Sequence, residues 1–225
     1  MANLFRHRSP EYGRTVVVEG NDGLGKSTQV EKIAERLDSH GISSIQFHEP
    51  GGVEISQEIR DVIKNGDLAR TALTNVLLFT ASRRENWLQE GRSALKDGTW
   101  VLLARNHWST DVYQGFGEGV PIWQIHLLTR ALVGNDYYSP DHKFILNSFD
   151  EAARERRIAQ RGVLENPDTF ESRDQAFQTR VNDGYRKIAK RYRIPLINAD
   201  QSIEQVHEDI WTPYIAPHVK RRETT

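Results

Sequence analysis

The sequence has 225 residues, of which 37% are hydrophobic and 27% charged, as in globular proteins and unlike disordered or fibrous chains. Its 30 basic and 31 acidic side chains leave a net charge of −1, which argues against a large surface for binding a nucleic acid polymer. The absence of cysteine excludes disulfides, thiolate zinc sites and thiol catalysis. There is neither an apolar run long enough to cross a bilayer nor the apolar core of a signal peptide, so we expect a cytoplasmic protein.

Five short apolar runs alternate along the chain with segments of helical periodicity. The runs predict buried strands at Thr15–Val18, Ser44–Phe47, Trp100–Leu103, Phe144–Leu146 and Ile194–Ile197. Apolar residues at helical spacing predict helices that include Val30–Leu37, Ile55–Ile63, Leu73–Leu88, Phe177–Tyr192 and Ile203–Ile210. Strands that alternate with helices need crossover connections, so we expect a parallel sheet covered by helices on both faces. No repeat or linker divides the sequence, which predicts one α/β domain over residues 1–225.

The segment EGNDGLGKST, residues 19–28, contains the spacing G-x-x-x-x-G-K-[ST] between the first predicted strand and the first predicted helix. Glycines let backbone N–H groups turn inward around phosphates, and a helix N-terminus adds positive potential. We expect Lys26 to neutralise the β- and γ-phosphates of a nucleoside triphosphate and the Ser27 hydroxyl to ligate magnesium. A glycine turn can also join a strand to a helix without a ligand, but the lysine, the hydroxyl and their context together favour a triphosphate site. The residues predicted to surround the phosphates are Gly20, Asn21, Asp22, Gly23, Leu24, Gly25, Lys26, Ser27 and Thr28.

This phosphate-binding loop (P-loop) leaves the reaction open between a kinase of a small acceptor, a small GTPase and a simple ATPase. No NKxD-like segment that would read guanine is present, which weighs against the GTPase. The segments downstream decide between the other two.

Three more segments follow the loop in a recognisable order. They are HEPGGVEISQEIR (48–60), LLFTASR (77–83) and ARNHWSTDVYQG (104–115), and similarity continues through RIAQRG (157–162) and the predicted late helix. Together with EGNDGLGKST, their order and spacing resemble the bacterial thymidylate kinase family over nearly the whole chain. The resemblance implies a P-loop kinase fold, a three-layer α/β sandwich with a five-stranded parallel sheet, helices on both faces and a mobile lid. It also implies transfer of a phosphoryl group from ATP to dTMP with Mg²⁺, in dTTP biosynthesis, and family members are commonly homodimers.

Phe79 and Arg83 lie four residues apart and share one face of a predicted helix. A ring beside a guanidinium can stack on a base and donate to its carbonyl oxygen. The resemblance implies that this pair stacks on thymine and bonds its O4. The alternative is that Phe79 fills the core and Arg83 is a solvated charge.

The other residues of the acceptor site follow from the resemblance. It implies that Arg60 and Arg105 hold the phosphate of the acceptor, since the fork of a guanidinium matches phosphate oxygens. It also implies that Asp22 accepts from the sugar 3′-hydroxyl and that Tyr113 excludes a ribose 2′-hydroxyl. Each of these residues has an ordinary alternative, as a surface charge, a loop-former or a packing tyrosine. The remaining predicted acceptor residues are Glu49, Thr110 and Gln114.

Arg157 and Arg161 are four residues apart beside a polar stretch that resembles the lid over the ATP phosphates, at about residues 157–172. Leu24 shows that no basic group comes from the P-loop itself, as in family members whose lid supplies the catalytic arginine. Such an arginine would neutralise charge on the transferring phosphoryl group after closure excludes water. The alternative is a solvated basic face of a helix.

The sequence departs from the family pattern at three places. Ala104 stands where the family has an aspartate that helps to hold magnesium, His48 replaces an arginine, and residues 168–171, DTFE, lack the usual lid arginine. An acceptor phosphate is already ionised near neutral pH and needs no strong base, so we expect a slowed enzyme rather than an inert one. Two alternatives remain open, a deoxynucleoside kinase and a non-catalytic nucleotide-binding regulator.

Overall fold

The computed structural model describes residues 12–150, 170 and 173–219. Within them a parallel sheet has five strands in the order β2-β3-β1-β4-β5. The strands are β1 (Thr15–Gly20), β2 (Ser44–His48), β3 (Trp100–Ala104), β4 (His142–Asn147) and β5 (Leu196–Asn198). The five predicted strands and their parallel arrangement are confirmed.

The sheet is apolar on both faces because helices cover both. Along β1, Val16 and Val18 pack into one core cluster and Val17 into the other. A strand buried on both faces has no polar side, which is why these strands read as continuous apolar runs. All six residues of β1 are buried.

The helices of the described residues are α1 (Lys26–Ser39), α2 (Glu54–Lys64), α3 (Ala72–Asn86), α4 (Arg92–Lys96), α5 (His107–Thr110), α6 (Ile122–Leu132), α7 (Asn135–Tyr138), α8 (Gln175–Tyr192) and α9 (Ile203–Ile210). One face of the sheet packs on α1 and α9, which contribute Ile33, Leu37 and Ile210 to its core. The other face packs on the helices after β2, with α8 contributing Val181 and Tyr185. The result is the expected three-layer arrangement.

Three wider, π-helical turns extend helices without a break, at Trp87–Gly91, Asp111–Gly117 and Trp211–Ile215. The first two bring buried aromatic residues, Trp87 and Tyr113, into the larger core cluster. α5 and the turn after it were not predicted, because residues 107–115 are all buried and show no apolar–polar period. α6 was not predicted either, because Trp123 and Leu127 place large apolar side chains on its exposed side.

The predicted helices around Ile55 and Leu73 are present, but several residues that mark them do not reach the core. Ile55, Val62, Leu73 and Leu77 remain 42–46% exposed. The apolar residues that predicted α2 and α3 therefore lie partly in the core and partly on the outer surface of these helices. No helix of the described residues is long and apolar enough to span a membrane.

Candidate active site

The loop after β1 bends sharply before α1 begins at Lys26. Gly23 and Gly25 each have a φ of 83°, in the left-handed region that favours glycine. A Cβ at Gly25 would meet nothing within 4 Å, so the backbone conformation and not the available space requires glycine there. The first turn of a helix leaves backbone N–H groups without intrahelical partners, and these groups suit a phosphate. Ser27 is exposed in this first turn.

The side chain of Lys26, which begins α1, lies against the loop in which it was predicted to bind phosphate. Its Nζ donates to the backbone oxygen of Asn21 at 2.8 Å and lies 3.8 Å from Asp22 Oδ1. Only 8% of the residue is exposed. The ammonium group is therefore held within the loop, beside the helix end that adds further positive potential.

Arg105 directly follows β3 and connects the loop to the helices on the other face. Its φ of 76° is rare outside glycine, and residues held in this way concentrate at functional sites. Nη2 contacts Asp22, and Nη1 donates to Ser109 Oγ at 3.0 Å and to the hydroxyl of Tyr185 at 3.2 Å. Burial alone would lower the pKa of Arg105, but the Asp22 carboxylate raises it, so the side chain stays cationic.

Asp22 is the anionic partner of both Arg105 and Lys26. The hydroxyl of Tyr113 donates to its Oδ2 at 2.8 Å. Burial on its own would raise the pKa of Asp22, but Arg105 and Lys26 lower it further than burial raises it. The structure thus brings together four of the predicted site residues, Lys26, Asp22, Arg105 and Tyr113.

Glu19 is a fully buried carboxylate that holds the chain after Arg105 in place. Its Oε1 accepts from the backbone N–H groups of Asn106 at 2.7 Å and Ser109 at 3.0 Å. Its Oε2 accepts from Ser109 Oγ at 2.7 Å and from the hydroxyl of Tyr185 at 3.2 Å. A carboxylate with this many donors locks the start of α5 against the end of β1.

Arg83 is buried, contrary to the alternative of a solvated charge. Its Nε donates to Glu49 Oε2 at 3.2 Å and its Nη2 to Thr110 Oγ1 at 2.8 Å. Its Nη1 has no hydrogen-bond partner among the described residues. A buried guanidinium with a spare donor is suited to bind a further acceptor atom.

Glu49 is held from its other side by Tyr137, whose hydroxyl donates to Oε1 at 2.5 Å. Burial raises the pKa of Glu49, and the guanidinium of Arg83 opposes that rise. Tyr137 and Glu49 therefore position Arg83. Glu49 holds the guanidinium in place and is also a possible contact for a ligand.

Phe79 is half-buried at the side of this cluster. Its ring centroid lies 6.0 Å from that of Phe170, which in turn lies 6.0 Å from the ring of Tyr113 in an edge-on arrangement. Phe170 belongs to the segment predicted as the lid, and Gln178 Nε2 on α8 donates to its backbone oxygen at 3.0 Å. Three aromatic rings thus group next to Arg83, which suits the flat face of a base.

The turn Pro50–Gly52 is built by side chains of α3. Asn86 Nδ2 donates to the backbone oxygen of Gly51 at 2.6 Å, and its Oδ1 accepts from Val53 N at 3.0 Å. A Cβ at Gly52 would approach Asn86 Oδ1 to 2.3 Å, so a larger residue would displace the side chain that builds this turn. Arg60 on α2 donates to the backbone oxygen of Pro50, which directs its side chain back to the same turn.

Two further predicted positions are buried. Gln114 is 0% exposed, and its Oε1 has no partner among the described residues. Ala104 ends β3 and packs into the core cluster that faces α1, the helix that carries Lys26 and Ser27. The residue that replaces the family aspartate thus faces the side of the sheet on which the P-loop lies.

Arg157, Arg161 and the predicted lid lie outside the described residues, apart from Phe170. Sequence reasoning missed Glu19, Ser109, Tyr137 and Asn86 as parts of the site. One signal was available for Glu19, since a carboxylate at the end of a fully buried strand needs buried donors. Tyr185 was predicted only as an apolar residue of its helix, because periodicity does not reveal what a tyrosine hydroxyl contacts.

A parallel sheet whose first strand leads through a glycine loop into a helix that begins Lys-Ser defines a P-loop nucleotide-binding fold. The sequence profile described as "Thymidylate kinase" matches residues 18–210. A thymidylate kinase from Exiguobacterium sibiricum is 35% identical over 216 residues, which cover 94% of this chain and 98% of the relative. One from Rhizorhabdus wittichii is 36% identical over 199 residues, covering 86% and 93%.

Among solved structures, the crystal structure of thymidylate kinase from Ehrlichia chaffeensis aligns with a TM-score of 0.69 at 26% identity. The alignment covers 89% of this chain and 97% of that one. The chain belongs to the thymidylate kinase family and is a nucleoside monophosphate kinase.

Proposed function

We propose that this enzyme transfers the γ-phosphoryl group of ATP to dTMP, giving ADP and dTDP. The observation that carries this proposal is the position of Arg105, which contacts Asp22 of the P-loop on one side and the hydroxyls of Tyr113 and Tyr185 on the other. A cation between a triphosphate loop and an aromatic pocket is suited to hold the phosphate that receives the phosphoryl group.

The donor triphosphate would bind in the loop Gly20–Thr28. Lys26 would supply positive charge beside the other predicted phosphate-binding residues, Gly20, Asn21, Asp22, Gly23, Leu24, Gly25, Ser27 and Thr28. The exposed hydroxyl of Ser27 is suited to Mg²⁺, which binds to few protein oxygens and otherwise to water and substrate phosphates. When bound, Mg²⁺ would neutralise charge on the phosphates.

The acceptor would bind between Phe79 and Arg105. The spare Nη1 of Arg83 would donate to a carbonyl oxygen of thymine, and Phe79 would stack on the ring. Tyr113 would close the sugar pocket, and Asp22 would accept from the 3′-hydroxyl in addition to its bond with Arg105. Arg60 and Arg105 would hold the acceptor phosphate, while Glu49, Thr110 and Gln114 support the pocket.

The transfer needs positioning and charge neutralisation more than a base. A phosphate oxygen of the acceptor is ionised at neutral pH and attacks the γ-phosphorus directly, so no proton has to be removed first. Lys26 and Arg105 would neutralise charge that spreads over the transferring group. We propose that Arg157 and Arg161 join them from the lid.

The decisive experiment compares acceptors. We expect the purified enzyme to form ADP with ATP and dTMP at least 100-fold faster than with ATP and thymidine, because thymidine lacks the phosphate that the arginines would hold. The reverse preference would identify a deoxynucleoside kinase, and ATP binding without turnover of either would identify a regulator. dUMP in the same assay measures the contribution of the thymine methyl group.

Lys26→Ala is the matched test of the donor site, with Lys96→Ala, an exposed lysine at the end of α4, as its control. We expect Lys26→Ala to reduce turnover by about 10²-fold or more and Lys96→Ala to leave it unchanged. Equal turnover in the two variants would contradict the proposed role of the loop.

A further inference from the structure

A second polar cluster lies on α5, the turn after it and α6, and the proposed reaction does not use it. His107 begins α5, Asp111 begins the π-helical turn four residues later, and His126 lies in the middle of α6. One ring nitrogen of each histidine and one carboxylate oxygen of Asp111 all lie within 4.8 Å of one another. Asp111 Oδ2 and His126 Nε2 are already 2.7 Å apart.

Three polar atoms of this cluster are buried without any partner among the described residues. They are both ring nitrogens of His107 and Oδ1 of Asp111. His107 and Asp111 are both 0% exposed. Buried polar atoms are normally paired, so unpaired ligand atoms that lie this close together indicate a missing partner.

We propose that His107, Asp111 and His126 form a binding site for Zn²⁺ or a similar first-row divalent ion. The donor set, two imidazoles and a carboxylate, is one that zinc accepts, with a fourth position left for water. Zinc–ligand bonds of about 2.1 Å in a tetrahedron place ligand atoms about 3.4 Å apart. Small rotations of the three side chains would bring their atoms from within 4.8 Å to that spacing.

The groups around the cluster fit this site. The hydroxyl of Tyr138 lies 3.0 Å from His126 Nδ1, so a His126 ring protonated at Nδ1 donates to Tyr138. Its unprotonated Nε2, 2.7 Å from Asp111 Oδ2, would then bind the metal beside that carboxylate. Metal-binding histidines usually have such a second partner, which fixes the tautomer and the ring orientation. The ring of Tyr138 also stacks on His107, with centroids 4.6 Å apart and planes 19° apart.

An ion could reach the cluster from solvent. Asp111 and His126 line a cavity of about 740 Å³ together with Phe116, Ile122, Lys187 and Tyr192. The cavity is separate from the loop Gly20–Thr28, none of whose residues line it. A metal here would bind beside the nucleotide site and not within it.

The ligand atoms favour zinc over magnesium. Two of the three are imidazole nitrogens, which suit zinc, whereas Mg²⁺ prefers oxygen ligands. Arg130 packs on the ring of Tyr138 at 4.0 Å, and Lys143 lies 5.8 Å from the ring of Trp108; these cations oppose either dication alike. The bound ion would link α5 to α6, and α5 carries Thr110, the partner of Arg83.

The test measures metal binding and not turnover. The full chain, purified without a histidine tag and stripped with a chelator, is mixed with Zn²⁺ or Co²⁺, passed over a desalting column and analysed for metal. We expect one equivalent of Zn²⁺ per chain, a higher melting temperature with Zn²⁺ than with Mg²⁺, and visible absorption bands of four- or five-coordinate Co²⁺. Absence of stoichiometric binding at micromolar Zn²⁺ would overturn the proposal.

Near-isosteric variants locate the ion. We expect Asp111→Asn and His126→Gln to lose the bound equivalent and the Co²⁺ bands, and Tyr138→Phe to weaken binding roughly 10-fold through the orientation of His126. His40→Ala, which removes an exposed histidine at the end of α1, should bind as the wild type does. Comparing melting temperatures of the stripped proteins shows that the variants fold. Retention of the zinc equivalent by both Asp111→Asn and His126→Gln would place the ion elsewhere and reject the site.

Discussion

Arg83 illustrates how single residues of this site are prepared for a ligand. Glu49 and Thr110 satisfy two of its donor groups, while Nη1 has no partner among the described residues. The buried ion pair with Glu49 fixes the orientation of the guanidinium, and the spare N–H then has a defined direction. Phe79 lies four residues earlier on the same helix and offers the face of its ring.

Phe79→Ala tests base recognition at this pocket. We expect dTMP binding to weaken by about 1–3 kcal/mol, the range for loss of a base–aromatic stack, with ATP affinity little changed. Phe79→Tyr, which keeps a ring of similar size, should retain most of the affinity. Titration calorimetry with each nucleotide measures both effects, and equal losses for dTMP and ATP would indicate damage to the core instead.

Ala104→Asp tests the residue that departs from the family pattern. The side chain at this position faces α1, the helix that carries Ser27, so a carboxylate there should help to hold magnesium. We expect a lower magnesium concentration for half-maximal rate and a higher rate. Because Ala104 is only 4% exposed, we also expect the metal-free protein to lose roughly 1–3 kcal/mol of stability.

Ala104→Asn is the matched control, since it has the same shape without the charge. It should share the loss of stability and leave the magnesium requirement unchanged. A magnesium titration of the wild type and both variants shows whether the carboxylate acts as a magnesium ligand. An unchanged or higher requirement in the aspartate variant would mean that the pocket has adapted to alanine.

At the scale of elements, one tyrosine hydroxyl of α8 contacts α5, the sheet and Arg105. Tyr185 on α8 contacts Arg105 Nη1 at 3.2 Å, Ser109 Oγ at 3.1 Å and Glu19 Oε2 at 3.2 Å. Gly184 beside it lets Phe116 approach, since a Cβ there would lie 3.0 Å from that ring. The helix that follows the lid segment is thereby tied to the arginine proposed to hold the acceptor phosphate.

Tyr185→Phe removes this hydroxyl and keeps the ring in the core. We expect the KM for dTMP to rise several-fold because Arg105 loses one of its supports, while stability falls by only about 1 kcal/mol. Tyr192→Phe, seven residues further along the same helix, is the control and should leave this KM unchanged. Steady-state kinetics with varied dTMP measures the difference. An unchanged KM in Tyr185→Phe would show that the other contacts of Arg105 are sufficient to position it.

An element could be predicted from the sequence where the residues that determine it are neighbours in the chain. β1 and the loop Gly20–Thr28 were predictable because a strand buried on both faces and a glycine loop have their causes in adjacent residues. The pair of Arg83 and Glu49 was predicted as two separate site residues, but not as an ion pair, because it joins α3 to the end of β2. The role of Tyr137 was out of reach for the same reason, since its hydroxyl meets Glu49 across 88 residues of sequence.

At the scale of the whole molecule, three neighbouring helices leave large apolar side chains in contact with solvent. α2 exposes Ile55 and Val62, α3 exposes Leu73 and Leu77, and α6 exposes Trp123 and Leu127. α3 packs against both α2 and α6, so these side chains lie on adjoining elements. Large apolar side chains exposed together on adjoining helices are typical of a protein interface. We propose a second copy of the chain as its partner, as the family resemblance implies.

Leu77→Glu tests this assembly, because a charge buried without a partner in an apolar interface costs several kcal/mol. We expect sedimentation of the wild type at micromolar concentration to give a dimer and that of Leu77→Glu to give a monomer with an unchanged circular dichroism spectrum. Ile203→Glu is the control, since Ile203 is similarly exposed but begins α9 on the opposite face of the sheet. A glutamate in the first turn of a helix is also favourable there, so that variant should fold and remain a dimer. A wild type that sediments as a monomer would contradict the assembly, and the apolar side chains of α2, α3 and α6 would then need a different partner.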